Sequence, residues 1–147
     1  MSNHHRAGAL ATQDTLVTVT PEGAGCDYSG LEVFDLASRP VRRTLDGIEG
    51  VLVPLSATDV EVSVDGETHT LAGRTGVFEA VSDWIYLPLG STITISGDAG
   101  EVALCTARAT ERFPLCVTPA QEVSVEVRGG GRASRQVTNI ATPDSFT

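Results

Sequence analysis

Short alternations of apolar and polar residues run the length of the chain, and none carries a convincing apolar stripe at helical spacing. LVTVT at 16–20 alternates and stops at Pro21; LEVFDL at 31–36 alternates after the turn residues at 27–30. Alternation places every second side chain on one face, as in a half-buried strand. VLVPL at 51–55 is a continuous apolar run of strand length, as for a strand covered on both faces. Its Pro54 lacks an N–H for the ladder and predicts an edge position or a bulge. Val60, Val62 and Val64 alternate with Glu61, Ser63 and Asp65, and after Gly66 a further run occupies 67–71. Asp-Gly between two such runs predicts a hairpin with a type I′ turn, because that turn needs positive φ at both central residues. The later runs are Val77-Phe78, WIYL at 84–87, TITIS at 92–96, EVALCTA at 101–107, VSVEV at 123–127 and RQVTNI at 135–140.

About ten short strands with turn signals every 8–12 residues predict an all-β fold: a sandwich, a jelly roll or a small barrel. The chain reads as a flexible N-terminal tail at 1–14, one β-domain at 15–128, and a C-terminal stretch at 129–147. That stretch holds Gly129-Gly130-Gly131, a strand, and Thr142-Pro143-Asp144, a pattern with which a new element often begins. The glycine run is either a hinge to a following unit or a loop. The sequence logic is expected to continue past Thr147.

Charge and cysteine content narrow the function. With 19 acidic residues against 10 basic ones, none of them Lys, the net charge is −9. This argues against nucleic acid, whose phosphates need a basic surface, and against anionic membranes. No apolar run approaches the roughly 20 residues of a membrane span, and residues 1–15 have no signal-peptide pattern. A soluble cytoplasmic protein is expected, with Cys26, Cys105 and Cys116 as reduced thiols.

Chemistry-bearing residues are sparse. Of three histidines, His4 and His5 stand in the tail and His69 stands alone, read as an exposed or half-exposed strand residue. Holding a catalytic metal takes three or four His or carboxylate ligands converging on one point, so no metal site is expected in this chain. Glu49, Glu79 and Asp83 read as solvated charges near strand ends. Arg42, Arg43 and Arg74 are either surface charges or contacts for an anionic group, since guanidinium forks pair with carboxylates. Trp84 with Ile85 and Leu87 reads as packing.

From Gly47 to Ile95 the order of strands and turns resembles a cupin barrel. Cupins carry His-x-His and a nearby Glu before a buried strand, then Pro-x-Gly followed by His. Here Glu49 stands in the place of the motif glutamate, Arg42-Arg43-Thr44-Leu45 where His-x-His would lie, Pro88-Leu89-Gly90 as the turn, and Ile93 where the last His would be. A closer match follows. Val19-Thr20-Pro21-Glu22 with Tyr28-Ser29-Gly30-Leu31, then LAGRTGVF at 71–78, Tyr86-Leu87-Pro88-Leu89-Gly90, and above all EVRGGGRASRQVTNI at 126–140, are similar to the N-terminal half of the 5-deoxy-glucuronate isomerase family.

That resemblance implies a cupin-type β-barrel or jelly roll. It also implies an aldose–ketose isomerase of bacterial myo-inositol catabolism, a two-cupin protein whose divalent metal and ligands lie in the second cupin. This chain would then be the metal-free N-terminal cupin, a scaffold inactive alone. It would hold no catalytic or metal residue, and its substrate contacts are unassigned. Its partners would be the C-terminal cupin half and, through the full-length enzyme, a sugar acid; a homodimer is compatible with this. Arg135 and Gln136, in the most family-specific stretch, are expected to be interdomain or structural contacts. One rival is a stand-alone, non-catalytic cupin-like domain binding a small sugar acid or a protein. Another is an enzyme completed by oligomerisation, with Arg43 and Glu49 meeting across an interface. The C-terminus discriminates: an independent domain packs 135–140 into its own sheet and ends cleanly, whereas a half leaves 143–147 loose and an apolar face exposed.

Overall fold

The computed structural model describes residues 4–37 and 39–143, in which twelve strands account for nearly all regular structure. They are β1 (Val17–Val19), β2 (Ser29–Asp35), β3 (Val41–Thr44), β4 (Ile48–Pro54), β5 (Thr58–Val64), β6 (Glu67–Gly73), β7 (Trp84–Leu87), β8 (Thr92–Ser96), β9 (Glu101–Arg108), β10 (Cys116–Thr118), β11 (Val125–Arg128) and β12 (Arg135–Thr138). The fold is all-β. A six-stranded sheet runs β1-β2-β9-β4-β7-β10, a four-stranded sheet runs β3-β8-β5-β6, and among the described residues β11 and β12 pair only with each other. The expected tail at 1–14 includes Leu10, whose carbonyl accepts from Thr18 N–H at 2.7 Å.

Local chemistry explains most elements. Asp65 and Gly66 have φ of 51° and 96°, the positive pair that the type I′ hairpin between β5 and β6 requires. After β1, Thr20 Oγ1 accepts from Gly23 N–H at 3.1 Å and Pro21 occupies the first turn of a four-residue helix, α1 (Pro21–Ala24). Gly25 ends it at φ 67°.

Three expectations change. Val77-Phe78 lies in a turn, with Phe78 98% exposed. β3 and β10 are additional strands; VRRT and CVT are too short and too polar to alternate visibly, and each forms by pairing with a neighbour, β8 and β7. The edge position expected at Pro54 is absent, because β4 lies between β9 and β7. Pro54 is instead the last residue of β4, beyond the final β7 pair Leu52↔Ile85. The N–H groups of Leu55 and Ser56 both donate to Glu101 O, at 2.8 and 3.1 Å, a bulge-like irregularity directly after the proline.

The main core lies between the two larger sheets. Phe34, Leu52, Ile85, Leu87, Val102 and Leu104 of one meet Val60, Val62, Leu71, Ile93 and Ile95 of the other. A second cluster lies on the outer face of the six-stranded sheet. There Val53, Trp84 and Tyr86 are covered by Val123, with Val51, Cys116, Ile140 and Ala141 packed around them. The central strands β4 and β7 are therefore buried on both faces.

Candidate functional site

The positions where the cupin resemblance would set metal ligands come together only in part. Arg43 of β3 stands opposite Ile93 of β8. Ile93 is fully buried in the core, so Arg43 shares that inward face. Its Nε lies 3.2 and 3.1 Å from the two carboxylate oxygens of Glu32, and its Nη2 lies 3.0 Å from Glu32 Oε1. Nη1 donates to Arg42 O at 2.9 Å, and the guanidinium carbon lies 4.9 Å from the Phe34 ring centroid. A fork held on a carboxylate and over an aromatic face is a fixed cation.

Glu49 faces the other way. β4 alternates, and Leu52 enters the main core while Val51 and Val53 belong to the outer cluster; Glu49 shares their parity. Its carboxylate accepts from Tyr86 Oη at 2.6 Å. Burial, reinforced by Glu49, holds the Tyr86 hydroxyl proton well above the ordinary tyrosine range. The Pro88-Leu89-Gly90 turn is pinned by Arg112 Nη1 on Leu89 O. Gly90 N–H donates to Leu45 O at 2.7 Å. The positions the resemblance points to thus present a paired guanidinium and an isoleucine facing inward and a glutamate facing outward. These side chains do not fit a divalent cation. Among the described residues, no three His, Cys, Asp or Glu side chains converge.

The remaining candidates are mostly structural. Arg74, considered above as an anion contact, donates from Nε to Pro54 O and from Nη1 to Ala80 O, both at 3.0 Å; burial lowers its pKa. Asp83, expected as a solvated rim charge, is buried and accepts from Ala72 N–H at 2.6 Å and Gly73 N–H at 3.1 Å. Glu79 is exposed in the turn beside Phe78. His69 is half-buried opposite Val62, with Nε2 buried and no hydrogen-bond partner among the described residues. Asp65 pairs with Arg112 at 3.0 Å; the Thr92 N–H, then Arg112, hold its carboxyl below the usual range.

A cleft of about 390 Å³ between 12–16 and 39–43 is lined by Arg39, Arg42 and Arg43 but also by Asp14 and Asp35. Arg39 pairs with Asp14 there, so little positive charge remains for an anion. Arg135 and Gln136 lie exposed on the two-stranded ribbon, where Gln136 stands opposite Val127 and Arg135 opposite Arg128.

The Glu32–Arg43 pair was not read from the sequence. In LEVFDL, residues 31, 33, 34 and 36 are all apolar, so both phases of the alternation look inward. Pairing decides the phase: Phe34 and Leu36 enter the core, and Glu32 goes with them.

A sequence model of the KduI/IolB family matches residues 3–146. The 5-deoxy-glucuronate isomerase of Geobacillus kaustophilus is 34% identical over 132 residues, covering 87% of this chain and 48% of that protein. The one from Listeria monocytogenes is 31% identical over 139 residues, covering 89% and 50%. The crystal structure of an IolB-like protein from Salmonella typhimurium LT2 superposes with a TM-score of 0.82 at 30% identity, covering 93% of this chain and 53% of that one. The chain thus spans about half the length of these relatives.

Proposed function

Because the chain belongs to the KduI/IolB family, we propose that it is the N-terminal half of an isomerase that interconverts 5-deoxy-glucuronate and its ketose form in the cytoplasm, during myo-inositol breakdown. Aldose–ketose interconversion moves a proton between neighbouring carbons through an enediolate, which needs a base held near the substrate. In this reading the base, and the divalent metal that steadies the enediolate, belong to the other half. This half is inactive alone and acts as a wall. The observation that carries the reading is the filled interior: buried aliphatic side chains, with Arg43 neutralised by Glu32 where a cupin site would open.

Exposed apolar side chains favour a half-protein over a stand-alone binder: Val125 and Val127 are 43% and 75% exposed, on a ribbon in which, among the described residues, β12 pairs only with β11. The expectation for 144–147 lies outside the described residues. Arg135 and Gln136 on the same ribbon are assigned as interdomain contacts. The test is turnover of 5-deoxy-glucuronate with elemental analysis of the same sample, after removal of residues 1–6 to eliminate adventitious metal at His4 and His5. The chain alone is expected to give neither turnover nor stoichiometric metal; turnover should appear when the other half of a family member is supplied. Turnover with bound metal by the chain alone would overturn the reading.

A further inference from the structure

We infer that the uncovered half of the outer face of the six-stranded sheet, centred on Leu31, Val33 and Cys105, is the seat of a second β-domain formed by the additional chain of the longer family members. This rests on the half-protein reading above and adds where the halves meet. The register sets the face. Val33 stands opposite Val17 and Ala103, and Leu31 opposite Val19 and Cys105. All are of opposite parity to Phe34, Val102 and Leu104, which fill the main core. Val17, Val19, Leu31 and Val33 are half-buried, Cys105 is exposed and only the small Ala103 between them is buried; none of them belongs to either buried cluster. The result is an apolar sheet surface that, among the described residues, joins neither core. Charge is confined to its margins: Asp35 and Glu101 face each other at one end, and Glu49 is tied to Tyr86 at the border. An apolar centre with a polar rim, on a chain of net charge −9, is the anatomy of an interface.

Two observations say what covers it. The segment after β10 already packs Val123, Ile140 and Ala141 over the β4–β7 half of the same face. It reaches the border at Ala141, which lines one small cleft with Val51, Tyr86, Cys105 and Ala107, while Thr142 lines the cleft beside Trp84 and Cys116 on the covered side. The covered half is thus occupied by this chain's own segment, and the additional chain of a longer relative has the bare half left to cover. The matched region is 48% of the Geobacillus kaustophilus protein, so about as much chain again must be placed, enough for a second domain. A flat sheet face is best covered by another sheet packed on it about 10 Å away.

The test uses the 147-residue chain and, as probe, the part of the Geobacillus kaustophilus isomerase outside the matched region. Capture by the immobilised probe is read together with turnover of 5-deoxy-glucuronate. Val33→Lys points outward and should melt like the wild type, yet lower capture about tenfold or more; Val127→Lys on the ribbon should lower it less. Equal capture of wild type and Val33→Lys overturns the assigned face and leaves the isomerase reading standing. Capture lost in Val33→Lys, with no turnover by the wild-type complex, supports the face and overturns the isomerase reading. No capture of the wild type overturns the proposal. If light scattering then shows a dimer that Val33→Lys dissociates, the occupant is a second copy of this chain.

Discussion

The two faces of the six-stranded sheet use similar side chains to different ends. Inward, Leu52, Ile85, Leu87, Val102 and Leu104 are sealed against the four-stranded sheet. Outward, Val53, Trp84 and Tyr86 are covered on one side of the sheet, while Leu31, Val33 and Cys105 on the other are not. The inner face is spent on stability, and the charged pair that enters it, Arg43 with Glu32, is neutral as a unit. The outer face is only partly used by the described chain. The difference teaches that hydrophobic composition alone does not say whether a strand face belongs to its own core or to a neighbour.

The contrast can be broken most sharply by truncating one residue on each face. Leu52→Ala leaves a cavity in the sealed interior and should cost about 2–5 kcal/mol. Val33→Ala, on the uncovered face, should cost less than about 1 kcal/mol in the isolated chain. Urea unfolding midpoints check both, and equal losses would mean that the outer face is core as well. Next comes the interior ion pair, whose side chains are 27% and 24% exposed. Arg43→Met leaves Glu32 without its partner beside Phe34 and should cost about 1–3 kcal/mol. The double change Arg43→Met with Glu32→Leu should recover most of that, measured by the same melts; no recovery would show that Arg43 acts through packing rather than charge.

The smallest effect sharpens the outer face. Tyr86→Phe removes the hydroxyl that donates to Glu49 at 2.6 Å and should cost about 1 kcal/mol near neutral pH. Burial and Glu49 raise the Tyr86 pKa above its ordinary value of 10.0, so the folded chain holds this proton more tightly than the unfolded one. Its contribution is complete below pH 10.0 and is lost as pH rises above it. Thermal melts from neutral to alkaline pH should fall less steeply for Tyr86→Phe than for the wild type.

Elements with a local cause are legible in the residues themselves. Thr92–Ser96 and Trp84–Leu87 match their alternating and continuous apolar runs residue for residue, and Asp65-Gly66 turns as its φ requirement demands. The double burial of 51–55 is legible too, because a run without polar residues has no face to give to water. The site is less so. The resemblance led to the right family, and it placed Glu49 beside the interior positions by spacing alone. One residue of parity on β4 sends its carboxylate to the opposite face.

What the sequence determined by itself was the all-β class, most strand positions and the family, since these rest on short-range alternation, turn stereochemistry and motif identity. The tertiary structure decided the rest. It chose which apolar set of LEVFDL turns inward, made a strand of Val41-Arg42-Arg43-Thr44 by pairing it to β8, and brought Arg43 onto Glu32, eleven positions away. It also left half of an apolar sheet face bare. The physical reason is that a strand's period of two leaves its phase undetermined when both faces are apolar, and only pairing with neighbours and the packing of one sheet on the other resolve it.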